Sequence, residues 1–106
     1  MAYKAVFTAH ASIDLTNILN YISIDLSNHN AAKTLFEKIE ESIELIKEFP
    51  FSGQIYQSTF IQTNNIRYKQ VGNYLLFYEI EEEKQIISII RILYSKRNIE
   101  DLLKEM

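Results

Sequence analysis

The run "RYKQVGNYLLFYEIEEEKQIISIIRILY", residues 67–94, decides the fold. Its apolar residues are largely β-branched or aromatic, and it is punctuated twice, by Gly72-Asn73 and by the charged "EEEK" from Glu81 to Lys84. That pattern predicts three strands, over residues 67–71, 74–81 and 85–94, joined by tight turns into an antiparallel meander. In the last strand Ile87, Ile89, Arg91 and Leu93 alternate with Ile86, Ser88, Ile90, Ile92 and Tyr94, so both faces are apolar. A strand of that kind belongs inside a sheet rather than at its edge.

Upstream, "YKAVFT" at residues 3–8 reads as a further strand, with Thr8 placed to cap a helix. Leu15, Ile18, Leu19, Ile22 and Leu26 recur at three- and four-residue steps, which predicts a helix over residues 9–26 with one apolar stripe. "DLSNHN" interrupts the pattern and offers Ser27 or Asn28 as the next cap. Ala32, Leu35, Phe36, Ile39, Ile43 and Ile46 line a second helix that Pro50 ends. Two amphipathic helices joined so closely form an antiparallel hairpin, and their stripes require a second layer to cover. The segment "PFSGQIYQSTFIQTN", residues 50–64, is expected to hold little regular structure. A short terminal helix containing Leu102 and Leu103 is expected after a cap at Ser95 or Asn98. The expected fold is α+β in the order β-α-α-β-β-β. A helical hairpin covers one face of a mainly antiparallel four-stranded sheet, and the opposite face is left partly open.

Length and composition narrow the chemistry. The chain has 106 residues, 47% of them hydrophobic and 24% charged, and this suits one folded domain over residues 1–106. It has no cysteine, which removes thiolate chemistry and disulfides, and its two histidines, His10 and His29, lack metal-ligand spacing. Two glycines cannot build a phosphate-cradling loop, and no Gly-x-Ser-x-Gly elbow occurs. Neither metal nor nucleotide cofactor is expected. The start of the chain lacks a signal-peptide layout and no run is apolar enough for a membrane helix, so a cytoplasmic location is expected.

The net charge of −3 argues against coating nucleic acid, yet acid and base are segregated. Five glutamates and two lysines lie between Glu37 and Glu48, whereas all three arginines lie between Arg67 and Arg97 together with Lys69, Lys84 and Lys96. Tyr94, Lys96 and Arg97 cluster where the last strand leaves the sheet, and Arg97 suits a phosphate or carboxylate in fork geometry. Arg67 and Lys69 read either as target contacts or as decoration of an exposed strand. Arg91, set among isoleucines, requires a partner, for which Glu79 on the neighbouring strand is a candidate. Tyr74 and Tyr78 read as half-buried packing aromatics with satisfied hydroxyls, and the histidines as helix-end or loop residues.

Three stretches, "AAKTLFEKIEESIELIKEFPFSG", "NYLLFYEIEEE" and "IIRILYSKRNIEDLL", together with "DLTNILNYI" in the first helix, span nearly the whole chain. In their order and spacing they resemble the RelE/ParE toxins of bacterial type II toxin–antitoxin systems. The resemblance implies a growth-inhibiting toxin neutralised by a cognate antitoxin that wraps the hairpin and sheet. RelE-like members cut messenger RNA on the translating ribosome without metal, whereas ParE-like members poison DNA gyrase. For the nuclease branch the resemblance carries Arg67 and Lys69 onto the second-strand bases and Arg97 onto the arginine after the last strand. Tyr94 stands where many relatives have histidine, and tyrosine, whose unperturbed pKa is about 10 as a residue type, is a poor base near neutral pH. Leu75 replaces the third-strand arginine, and Leu103 lies near the place of a terminal tyrosine. This depleted set, the long hairpin and "FPFSG" favour the ParE-like, gyrase-directed reading. The catalytic candidates, Arg67, Lys69, Tyr94 and Arg97, then become target-binding candidates together with Lys96. The alternatives are a ribosome-dependent endoribonuclease and a degenerate, non-toxic binding module.

Overall fold

The computed structural model describes residues 3–57 and 65–103. Its sheet is built around β5 (Ile86–Tyr94), which pairs antiparallel with β4 (Tyr74–Glu81), as β4 does with β3 (Ile66–Val71). The meander is thus present, turned at Gly72, whose φ of 60° suits a residue without a Cβ. On its other side β5 pairs in parallel with β1 (Lys4–Phe7), so the strand apolar on both faces does lie inside the sheet. A fifth strand, the two-residue β2 (Gln54–Ile55), pairs with β3 and gives the order β1-β5-β4-β3-β2. The sheet therefore has one strand more than expected. The added strand comes from the segment read as loop, which also forms a 3-10 turn at Pro50–Ser52; residues 58–64 of that segment lie outside the described residues.

Helix α1 (Ala9–Asn20) starts where the Thr8 hydroxyl accepts the Ala11 N–H at 3.2 Å. It does not run on regularly to residue 26. Tyr21–Asp25 form a π-helical turn in which the Leu26 N–H reaches the Tyr21 carbonyl at 3.0 Å. The extra residue in that turn shifts the phase of the stripe, so Leu26, expected in the core, points to solvent. Ser27, at a φ of 49°, turns the chain, and Asn28 rather than Ser27 caps α2 (His29–Glu48) through the Ala31 N–H at 3.0 Å.

The hairpin is antiparallel: Ser12 and Leu15 share a groove with Ile39 and Ile43, while Leu26 and Ala31 line a cleft near the turn. Leu35, Ile39 and Ile46 of α2 pack with Ala11 of α1 onto Leu76, Tyr78, Ile80, Ile87, Ile89 and Ile92 of the sheet. Phe36, expected on the same stripe, stays 39% exposed at the rim of the groove. Each fully buried leucine or isoleucine contributes about 1.5–3 kcal/mol before entropy is counted, so this layer is the main source of stability.

The strict alternation expected in β5 is broken. Phe77 faces Arg91 and Tyr78 faces Ile89, which leaves Ile90 as an extra residue in a β-bulge. Past the bulge the sides exchange: Ile92 turns to the helices with Ile87 and Ile89, whereas Ile90 and Leu93 turn away. There they form a second, smaller core with Ile66 and Phe77, closed by Leu103 of α3 (Ile99–Leu103). The face expected to stay partly open is covered here by α3, which Asn98 rather than Ser95 caps, accepting the Asp101 N–H. Among the described residues no helix is long and apolar enough to cross a membrane.

Candidate functional site

The site begins with an unequal strand pair. β1 is four residues long and β5 nine, so beyond Ile89 one edge of β5 has no strand beside it among the described residues. Unpaired backbone groups at a covered edge are costly, and the start of the hairpin supplies their partners. The Thr8 hydroxyl donates to the Ile90 carbonyl at 3.1 Å, and the Asp14 carboxylate accepts the Ile92 N–H at 3.0 Å. The same carboxylate takes Arg91 in a fork, from Nε at 2.7 Å and from Nη2 at 3.1 Å. Arg91 Nη1 then reaches the Leu102 carbonyl at 3.2 Å and ties α3 to this node. Arg91 is therefore structurally paired as expected, but with Asp14 and not with Glu79, whose register partner is Ser88.

Past this node a cleft of about 820 Å³ opens between the end of the first helix and the ends of β4 and β5. Tyr21, Leu26, Tyr74, Tyr94 and Arg97 line it, with Asp14 and Arg91 contributing to its wall. Tyr74 and Tyr94 meet edge to face, their ring centres 5.7 Å apart. Burial pushes the Tyr74 hydroxyl above its ordinary range, and the neighbouring Tyr94 and Tyr21 phenols add to the rise. The Tyr74 phenol is thus a neutral donor near neutral pH. Arg97 is aimed by a turn in which its N–H donates to the Tyr94 carbonyl at 3.1 Å, while the Ser95 N–H holds the Asn73 carbonyl at 2.9 Å. Lys96 is exposed on the same turn.

The structure brings Tyr94 and Arg97 to one cleft and places Arg67 and Lys69 elsewhere. Arg67 Nη1 donates to the carbonyls of Gly53 at 2.8 Å and Phe51 at 3.1 Å, and its guanidinium lies 5.1 Å from the centre of the Phe51 ring. It clamps the turn after α2. Lys69 is opposite Leu76 and lies beside Lys38, Glu41 and Leu45 of α2. Lys69 is in register through Leu76 with Ile92, so it lies two strands, roughly 10 Å on a spacing of about 4.8 Å per strand, from Ile92, and Tyr94 lies two residues further along β5. Leu75 packs against the second core with Leu93 and Phe77. Tyr78 is fully buried rather than half-buried: its hydroxyl donates to the Pro50 carbonyl at 2.7 Å and accepts the Gly53 N–H at 3.0 Å. His10 lies in the first turn of α1, and His29 starts α2 with Nδ1 against the Ser23 hydroxyl. Asp14, Tyr21 and Leu26 are the members of the site that the sequence reading missed. The polar break after the first helix marks the turn near Tyr21 and Leu26, but nothing local marks Asp14.

Comparison with solved structures places this architecture among the RelE and ParE toxins. The chromosomal ParDE toxin–antitoxin system from P. aeruginosa superposes with a TM-score of 0.70 at 15% identity, over 90% of this chain and 98% of that one. The toxin–antitoxin complex RelBE2 from Mycobacterium tuberculosis gives 0.63 at 18%, over 89% and 99%. The isolated RelE toxin of E. coli gives 0.63 at 14%, over 98% of each chain. At such identities the likeness establishes the fold. The family follows from sequence: residues 5–99 match the ParE toxin of type II toxin–antitoxin system, parDE, and the chain belongs to that family. Among curated proteins no sequence matches significantly.

Proposed function

We propose that the chain, acting as one toxin domain over residues 1–106, inhibits bacterial growth by binding DNA gyrase through the Tyr94–Arg97 cleft. A cognate antitoxin keeps it inactive. The observation that carries this reading is the scatter of the cationic side chains. Metal-free RNA cleavage requires a base, a leaving-group donor and phosphate-holding cations to converge within hydrogen-bond reach of one phosphate. Here Arg67 is tied to two carbonyls, Lys69 lies across the sheet beside α2, and Leu75 stands where the nuclease pattern has arginine. Binding to a large protein asks for no such convergence. It asks for exposed aromatic and arginine anchors, which the cleft provides. For the antitoxin, the outer side of the hairpin offers a groove lined by Phe7, Leu15, Phe36 and Ile43, with Glu40 and Glu44 also lining it. That surface suits an apolar segment carrying basic residues.

The test sets a gyrase supercoiling assay beside a translation-coupled message-cleavage assay, with growth followed on induction. Arrested supercoiling with intact messages is expected. Cut messages with normal supercoiling would point instead to the ribosome, and unimpaired growth to a binding module without toxicity. Arg97→Ala is expected to raise the toxin concentration needed for inhibition about tenfold or more, as truncating an interface arginine commonly does. Its circular dichroism should match the wild type, because the side chain is exposed. A misfolded Arg97→Ala protein would make the residue structural.

A further inference from the structure

We infer that the cleft docks a protein segment presenting an apolar or aromatic side chain next to a carboxylate, and that Tyr21 and Leu26 of the hairpin tip form part of this surface. The inference builds on the proposed gyrase-binding role and adds the chemistry of the docked segment and two contact residues.

The π-helical turn displays large side chains that a simple helical connection would not. Tyr21 is 51% exposed, Ile24 65% and Leu26 55%. Contiguous exposed apolar area on a small protein marks interaction sites. Tyr21 and Leu26 also line the same cleft as Tyr74 and Tyr94, so the tip and the end of the sheet make one continuous surface. Tyrosines give a partner large contact area with few rotors to freeze and a hydroxyl for its polar atoms. An apolar or aromatic side chain fits such a wall.

Charge decides what accompanies it. In the wall of the cleft Asp14 and Arg91 neutralise each other through their fork. This leaves Arg97 as the uncompensated charge among the described charged residues lining the cleft. One guanidinium matches one carboxylate. A nucleic acid strand, with a charge at every phosphate, requires a groove of several cations. Among the described residues Lys96, on the same turn, is the cation that adds to Arg97, and the chain carries a net charge of −3. A strongly basic partner segment would be repelled by Arg97.

The test uses the full chain, purified gyrase holoenzyme and a labelled single-stranded RNA oligonucleotide. Binding to each is measured for the wild type, Tyr21→Ser, Leu26→Ser and the control Ile13→Ser, which alters an exposed α1 side chain away from the cleft. Growth arrest on induction is scored for all four. The two tip variants are expected to keep the wild-type circular dichroism and to weaken both gyrase binding and growth arrest about tenfold or more, as loss of an interface anchor does. The control should do neither. Arg97→Glu should fall below Arg97→Ala, because it repels the carboxylate. Tip variants that fold, bind gyrase and arrest growth like the wild type would overturn the inference. So would tight RNA binding by the wild type that Tyr21→Ser abolishes. A wild type that arrests growth without binding gyrase would remove the gyrase reading alone; loss of arrest in Tyr21→Ser, with no RNA binding, would still support the docking surface.

Discussion

Asp14→Ala is expected to destabilise the fold by about 3–5 kcal/mol, the usual cost of stripping one partner from a buried ion pair. Arg91 is only 8% exposed and donates two hydrogen bonds to Asp14, so among the described residues its charge would be left with the Leu102 carbonyl. The Ile92 N–H would also lose its acceptor on the edge of β5. Two controls separate these contributions. Asp14→Asn keeps an acceptor for Ile92 but loses the charge, and should fall between the wild type and Asp14→Ala. The double replacement Asp14→Leu with Arg91→Met removes both charges and should recover most of the loss. The unmet Ile92 N–H, worth about 1–3 kcal/mol, would remain. Urea unfolding measures this directly: at a slope of about 1–3 kcal/mol per molar, the midpoint for Asp14→Ala should drop by more than about 1 M. A drop equivalent to less than about 1 kcal/mol would mean that the pair is solvated and does not bind the hairpin to the sheet.

Why Asp14 escaped the sequence reading is a matter of separation. The meander was legible because its turns are local: Gly72-Asn73 and the acidic run fix strand ends within a few residues. The two helices were legible because their stripes repeat within a turn. Asp14, by contrast, meets a residue 77 positions away, and the need arises only because β1 stops at Phe7 while β5 runs on to Tyr94. The nearest acid expected from strand pairing, Glu79, was therefore the natural but incorrect choice for Arg91. The same holds for the bulge at Ile90 and for the π-helical turn at Tyr21–Asp25: each adds one residue to a regular pattern, and the apolar code reads equally well with or without it. Half of the candidate site, Tyr94 and Arg97, could be read from a polar cluster ending an apolar strand. The other half comes from the hairpin tip, which only the fold brings alongside.

Gly53→Ala is expected to be nearly as damaging, through a different cause. The backbone at Gly53 is extended, with φ −74° and ψ 162°, so conformational freedom is not what the glycine supplies. Space is. A Cβ there would overlap the Tyr78 hydroxyl and come within 2.9 Å of its Cε1 and 3.0 Å of the Tyr68 carbonyl oxygen. Tyr78 is fully buried beneath the helices, so it cannot swing aside without opening the main core. Overpacking of this kind costs about 1–3 kcal/mol. Separating the hydroxyl from the Pro50 carbonyl and the Gly53 N–H adds about 1–3 kcal/mol for the groups left unmet. Tyr78→Phe alone should show only that second cost. In the double variant the methyl no longer meets a hydroxyl, so its loss should be smaller than the sum of the single losses by more than about 1 kcal/mol, the coupling expected of residues in contact. Titration gives a second reading of the same contact. Burial raises the Tyr78 hydroxyl above its ordinary range, more than the Gly53 N–H, the Arg67 charge and Ser52 lower it. Its folded pKa therefore exceeds the unfolded value of about 10: stability is intact below that pH and falls above it, because the unfolded chain sheds the proton first. Tyr78→Phe should flatten that alkaline slope and leave only the share due to Tyr56 and Tyr74, which burial also raises. Strict additivity of the two substitutions, with an unchanged alkaline slope in Tyr78→Phe, would show that the turn after α2 is not clamped by this hydroxyl.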